Sequence, residues 1–229
     1  MDTVYERNTV ITTGDYKVVG TRPIRPDGVD KVTGRARYGA DTSFPDLIYG
    51  KVLRSPHAHA LIRSIDTTKA EKVPGVFAVT TSDDFPQTKK HSTVDFGEGD
   101  RALWQLRTNS MAIDKVHYKG QPVAGVAASN IHIAEEACKL IEVEYEVLPH
   151  VLSVLEAVKD GSPILHEDQK TEMFGEKTSK TSNIASHFQH KLGDLNKGFS
   201  EADVVIEKEF HTATVHQGYL EPHNATVLW

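Results

Sequence analysis

The segment from Lys119 to Val151, KGQPVAGVAASNIHIAEEACKLIEVEYEVLPHV, constrains the fold more than any other part of this 229-residue chain. Its hydrophobic spacing changes twice, which predicts a strand, a helix and a second strand in succession. Val123 to Ala128 is a nearly unbroken apolar run entered through Gly120-Gln121-Pro122. Such a run suits a strand buried on both faces, with proline confined to its first residues because it has no N–H to give the ladder. Asn130 is placed to cap the helix, its side-chain oxygen accepting from a first-turn N–H that has no partner within the helix. Ala134, Ala137, Cys138 and Ile141 then recur at helical spacing, while Glu135, Glu136 and Lys139 take the outer face. Glu142, Glu144 and Glu146 alternate with Val143, Tyr145 and Val147, so this strand is expected to be wet on one side and packed on the other. Leu148-Pro149 ends it.

Around that unit the patterning is shorter. Residues 1–20 are a polar extended arm, and Arg22 to Gly28 is turn chemistry, with a second break at Thr33-Gly34. Strands are predicted over Leu47–Leu53 and from Leu61-Ile62, interrupted by Arg54-Ser55-Pro56-His57-Ala58-His59-Ala60. Asp66 caps a short helix through Lys72, stopped by Pro74-Gly75, and Val76–Thr80 is another strand before the turn at Ser82-Asp83-Asp84. Residues 86–116 are polar and weakly periodic, and a loop of that length is expected to be functional or disordered. Leu103, Trp104 and Leu106 within it are better explained as a small apolar cluster under the loop than as a partner contact. Glu167 to Ser182 has the composition of a linker and is where we place the domain boundary. Beyond it come a strand over Ile184–His190, a turn at Gly193-Asp194 into a short helix to Ala202, and a strand from Asp203 with Val204, Ile206 and Phe210 on one face. Ala225 to Trp229 has the pattern of one more strand. An apolar final strand without a neighbour is a liability, so this end is expected to be cut.

Composition narrows the function classes. Hydrophobic residues make up 38% and charged residues 25%, values of a soluble globular chain. The net charge of −6, with no compensating Lys/Arg block, argues against nucleic acid or an anionic membrane as partner. With one cysteine, Cys138, the chain builds no disulfide framework, no Cys-ligated zinc and no iron–sulfur cluster of its own. The N-terminal MDTVYERNTV has no secretory pattern and no stretch has the length of a membrane span, so a cytoplasmic protein is expected.

Seven phrases in fixed order carry a resemblance. They are Gly34-Arg35-Ala36-Arg37-Tyr38-Gly39-Ala40-Asp41, Arg54-Ser55-Pro56-His57-Ala58-His59-Ala60, Val73-Pro74-Gly75-Val76, Gly120-Gln121-Pro122-Val123-Ala124, Val143-Glu144-Tyr145, Gly193-Asp194 with Glu201-Ala202-Asp203-Val204-Val205, and Leu220-Glu221-Pro222-His223. Together they resemble the molybdopterin-binding subunit of the xanthine dehydrogenase and aldehyde oxidase family, the molybdenum hydroxylases. The resemblance implies an α+β chain: an arm over 1–20, an α/β-hammerhead domain over 21–160, a linker over 161–182, and the incomplete start of the first molybdopterin-binding domain over 183–229. It implies an oxidoreductase that hydroxylates heterocycles or aldehydes with water as oxygen source, some relatives instead oxidising carbon monoxide or reducing aromatic thioesters. Molybdopterin is then the cofactor, and electrons pass to [2Fe–2S] clusters and FAD on partner subunits. The family's cofactor glutamine, glycine-rich pterin loops and base glutamate have no counterpart in this sequence. The resemblance therefore assigns no catalytic, cofactor-binding or metal-binding residue here, and it implies as partners the remaining molybdopterin-binding polypeptide, an iron–sulfur subunit and a FAD subunit. The rival reading is a stand-alone hammerhead scaffold without a redox role.

Several polar groupings invite a metal and are better explained otherwise. His57 and His59 would share a face on an extended strand, but no third ligand accompanies them, and the proline turn favours hydrogen bonds to loop backbone. His211, His216, Glu221 and His223 fit no metal-ligand spacing. Glu142, Glu144 and Glu146 would repel around a shared ligand, so a solvated strand face is expected. Asn224-Ala225-Thr226 is a glycosylation sequon without the secretory signal that would give it meaning.

Overall fold

A computed structural model describes residues 16–86, 93–95, 100–219, 221 and 223–228. The described residues fall into two compact units, one over Pro45–Phe210 and one combining those up to Phe44 with those from His211 onward. The elements in chain order are α1 Gly28–Thr33, β1 Tyr49–Arg54, β2 Ala60–Asp66, α2 Thr68–Glu71, β3 Val76–Thr80, β4 Thr93–Asp95, β5 Asp100–Ala102 and α3 Leu103–Ser110. There follow β6 Lys115–Val116, β7 Pro122–Ala128, α4 Ile131–Leu140, β8 Glu142–Val147, α5 Val154–Ala157, β9 Glu172–Met173, β10 Glu176–Lys177, β11 Ser186–His187 and α6 Leu195–Glu201. This is the expected α+β class. No helix among the described residues is long and apolar enough to cross a membrane.

The central strand–helix–strand unit forms with the expected bounds but joins two sheets. β7 is the middle strand of β1-β7-β3, and β8 is an edge of β6-β2-β8, with every pairing in both sheets antiparallel. Asn130 caps α4, its side chain accepting from the Ile133 N–H at 3.0 Å. The alternation of β7 then divides the core. Ala124, Val126 and Ala128 pack with Ala134, Ala137, Cys138 and Ile141 of the α4 layer. Val123 packs instead with Ala60, Ala112 and Val116 towards the second sheet. Ile65 and Val143 touch both clusters and join them. On the wet face of β8, Glu142 pairs with Lys69, Glu144 accepts from the Ser64 hydroxyl and Glu146 pairs with Arg63. The triplet is thus a solvated face, as expected, although Val147 on the other side is 58% exposed.

Ala134 and Ala137 have no exposed surface, so the helix lies directly on its sheet. Ala137→Leu is expected to overpack that contact and cost ~1–3 kcal/mol. Denaturant melts check this; an unchanged midpoint would show that the α4 face has room.

Several short elements differ from expectation. Residues 86–116 contain the β4–β5 pair and the two-turn helix α3, where the sequence predicts a loop. Leu103 is half-buried and Leu106 is 38% exposed; the Trp104 side chain lies outside the described residues. LWQLRTNS carries no continuous apolar stripe, so its helix has no sequence period to betray it. α1 is a further element the sequence does not announce; Gly34, at φ 73°, ends it in the left-handed conformation that glycine adopts freely. Asp66 accepts from the Thr68 N–H at 2.9 Å as its place before α2 requires. Beyond residue 182 the strand predicted over Ile184–His190 reduces to Ser186–His187, and α6 forms under the Asp194 cap, which accepts from the Lys197 N–H at 3.1 Å. The strand predicted from Asp203 does not form, nor does one over the described residues 225–228. A strand needs a neighbour to take its backbone hydrogen bonds, and among the described residues no strand pairs with these segments.

Candidate functional site

The polar centre of the larger unit is a buried glutamine and a row of histidines. Gln121 is wholly buried at the entry to β7. Its Oε1 accepts from the His117 N–H at 2.7 Å and its Nε2 donates to the Thr108 carbonyl at 2.9 Å. Its backbone carbonyl accepts from the Ser55 N–H at 2.9 Å, which ties the turn holding His57 and His59 to the same point. His57 lies edge-on to the Tyr145 ring with centroids 5.0 Å apart. His59 is 4% exposed, and its Nδ1 sits 2.6 Å from the Pro149 carbonyl, so that nitrogen carries the proton and donates. Its buried Nε2 has no hydrogen-bond partner among the described residues.

His59 is followed by His117 at 6.4 Å between centroids, and His117 stacks on His166 at 4.5 Å with the rings only 11° from parallel. Lys115 and Glu167 close the row with an ion pair at 2.5 Å. Burial pushes the His117 imidazolium down to about 4, helped by the neighbouring His166 and Lys115. Burial also lowers His166, with Lys115 adding to it. Both rings are therefore neutral at pH 7.

The row is not a metal centre. Stacked imidazoles direct their nitrogen lone pairs sideways in parallel planes, and those do not converge on one ion. Among the described residues no group of three or more His, Cys, Asp or Glu side chains could hold a metal. Of the pair weighed from sequence, His59 bonds loop backbone and His57 packs on a ring. The second grouping is dispersed over separate contacts. Glu221 accepts from the Gly39 N–H at 2.9 Å, the Gly218 N–H donates to His216 at 3.0 Å, and His223 lies edge-on to Tyr219. His117 and His166 are 49 positions apart in sequence, and no local spacing announces their stacking. Gln121 does lie in one of the phrases carrying the family resemblance.

The smaller unit holds an open hollow of about 320 Å³ lined by Gly39, Tyr219, Glu221, His223 and Asn224. Glu221 puts a carboxylate there, which opposes an anionic pterin phosphate. From Ile184 to Leu228 every described residue is exposed, so no buried donor or acceptor of that stretch is held ready for a ligand. The residues present thus do not by themselves make a holder for a pyranopterin.

The profile for the aldehyde oxidase and xanthine dehydrogenase a/b hammerhead domain matches residues 33–149, and that for a molybdopterin cofactor-binding domain matches residues 176–229. A probable xanthine dehydrogenase subunit from Bacillus subtilis is 37% identical over 90% of this chain and 24% of its own length. The nicotinate dehydrogenase large molybdopterin subunit from Eubacterium barkeri is 30% identical over 91% of this chain and 44% of its own. A crystal structure of Cu,Mo-CO dehydrogenase superposes with a TM-score of 0.58 at 30% identity, covering 80% of this chain and 22% of that one. The chain spans about a quarter to under half of the length of these curated relatives. Since the hammerhead profile alone takes in more than half of the residues, with five of the seven phrases inside it, the chain belongs to the aldehyde oxidase and xanthine dehydrogenase family.

Proposed function

We propose that this chain is the hammerhead-bearing front of the molybdopterin-binding subunit of a cytoplasmic molybdenum hydroxylase. In this reading residues 21–160 support a cofactor domain that residues 183–229 begin, and 161–182 link the two. The whole protein hydroxylates a heterocycle or an aldehyde with water as oxygen source. Polypeptide outside this sequence supplies most of the molybdopterin contacts, and iron–sulfur and FAD subunits take the electrons.

The observation that carries this reading is the exposed apolar run after the hammerhead. Phe199, Val204, Ile206 and Phe210 are 63%, 74%, 82% and 80% exposed in a segment that matches a cofactor-binding domain. Leu195, Phe199, Val204 and Ile206 line an open groove of about 300 Å³. Apolar surface on this scale marks an interface rather than a free surface. Its cover in the whole protein is the rest of the cofactor domain.

As the 229-residue chain alone, the protein is expected to carry no stoichiometric molybdenum and to oxidise neither purines nor aldehydes. A pterin cofactor is positioned by many hydrogen bonds at once, and positioning it is the protein's share of the chemistry. Co-expression with the downstream part of a relative's large subunit and an iron–sulfur subunit should restore both. Mass spectrometry for metal and a dye-linked oxidation assay read the outcome. Near-equimolar molybdenum in the lone chain would place the site within this sequence; inactivity of the completed complex would favour the scaffold reading.

A further inference from the structure

We propose that residues 148–187 form a strap fastened to the hammerhead by a proton-sensitive histidine latch, closed at neutral pH and loosened by acid. The strap bridges the two matched domains, leaving β8 at the end of the first and running into the start of the second. Its own structure is slight. α5 has four residues and β9, β10 and β11 have two each, too short to persist without a support. Yet Thr171 within it is only 4% exposed.

Two places fasten the strap. At its start, His59 donates to the Pro149 carbonyl, and the Leu148 N–H donates to the His59 carbonyl at 2.9 Å. Further on, His166 stacks on His117 and Glu167 pairs with Lys115. Asn183 carries the second fastening through the strap. It donates to the carbonyls of Ala157 and Pro163 at 3.0 and 2.9 Å and accepts from the Leu165 N–H at 3.0 Å. Loosening at His166 is thereby passed to the segment from Ala157 to Asn183.

The stack is the part that senses protons. Neutral imidazoles stack favourably, whereas two imidazolium rings at 4.5 Å repel. The charged and titratable groups that face them are Lys115 from β6, Glu167 beside His166 on the strap, and His59 from the turn before β2. The Lys115 ammonium opposes a charge on either ring. Glu167, its partner, favours the charge but is already engaged. The sign follows from the lowered His117 value. The closed state is fully favoured above the ordinary 6.5, loses ground as pH falls from 6.5 towards about 4, and changes no further below that. Because His166, though partly covered by the stack, keeps surface open to solvent, protons reach the latch without prior unfolding.

Hydrogen exchange by mass spectrometry on the 229-residue chain at pH 7.5 and 5.0, corrected for intrinsic rates, tests the proposal. Peptides from residues 162–187 should lose protection by about tenfold or more at the lower pH, while the β7 peptide is unchanged. His166→Phe keeps a stacking ring without a proton and should make the pH effect clearly smaller, leaving only what burial of His117 contributes, while protection at pH 7.5 stays intact. A fall of equal size in wild type and His166→Phe, or no fall in wild type, overturns the latch. Should the variant not fold, NMR titration of His117 and His166 in the wild-type chain decides. Two depressed midpoints, moving with the strap resonances, support it, and ordinary histidine titration of both rings overturns it.

Discussion

Gln121→Leu is expected to lower stability by about 2–6 kcal/mol, seen as a fall in the denaturant midpoint at unchanged slope. Leucine fills nearly the same volume, so the loss does not come from a cavity. Gln121 has no exposed surface and serves as acceptor for the His117 N–H and donor to the Thr108 carbonyl. Removing it strands a donor and an acceptor in a place water does not reach, and each orphaned group costs about 1–3 kcal/mol. Gln121→Glu is the control, because it preserves shape and the acceptor side. At neutral pH it buries a charge and faces the Thr108 carbonyl with an oxygen; once protonated it again has a hydrogen to donate. Its deficit relative to wild type should therefore shrink as pH falls. A Gln121→Leu midpoint within error of wild type would mean that the amide is not structural.

Gly75→Val is expected to cost roughly 3–5 kcal/mol, the sum of backbone strain and overpacking. Gly75 ends the turn before β3 at φ +92°, where a β-branched residue is strained whatever the space around it. Space is also lacking: a Cβ there would stand 2.9 Å from both Ile133 Cδ1 and Ser129 Oγ, on the helix–sheet seam. The Gly75 carbonyl meanwhile accepts from the Ser129 N–H at 2.9 Å, so the turn is not free to back away. Thermal unfolding should fall by roughly 10 °C. Gly75→Ala should fall by less, since it meets the strain but only part of the clash. Equal effects of Ala and Val would locate the cost in the backbone alone.

Local chemistry made much of the hammerhead legible. Asn130 caps α4 because a side-chain acceptor can satisfy a first-turn N–H whatever else surrounds it. The same self-sufficiency let Asp194 mark the start of α6. The buried stripe through Ala134, Ala137, Cys138 and Ile141 follows from the helical period, and the wet glutamates of β8 follow from the strand period. Single phrases in order were enough for the family, because together they record a whole domain. Short elements without a period, such as α3, stayed hidden, as did the absence of a strand after Asp203, which depends on whether a neighbour is there to pair.

The sequence by itself determined which segments are helix and strand in the central unit, which faces they bury, and where α4 begins. Each of these is set by interactions within about one turn or one strand spacing. Only the tertiary structure decided that β7 and β8 enter different antiparallel sheets, that Gln121 ties His117 to Thr108, and that His59, His117 and His166 stand in one row. Those contacts join residues far apart along the chain. A residue's type and local period state what it can bond, but which distant group arrives to meet it is settled by how the core layers pack.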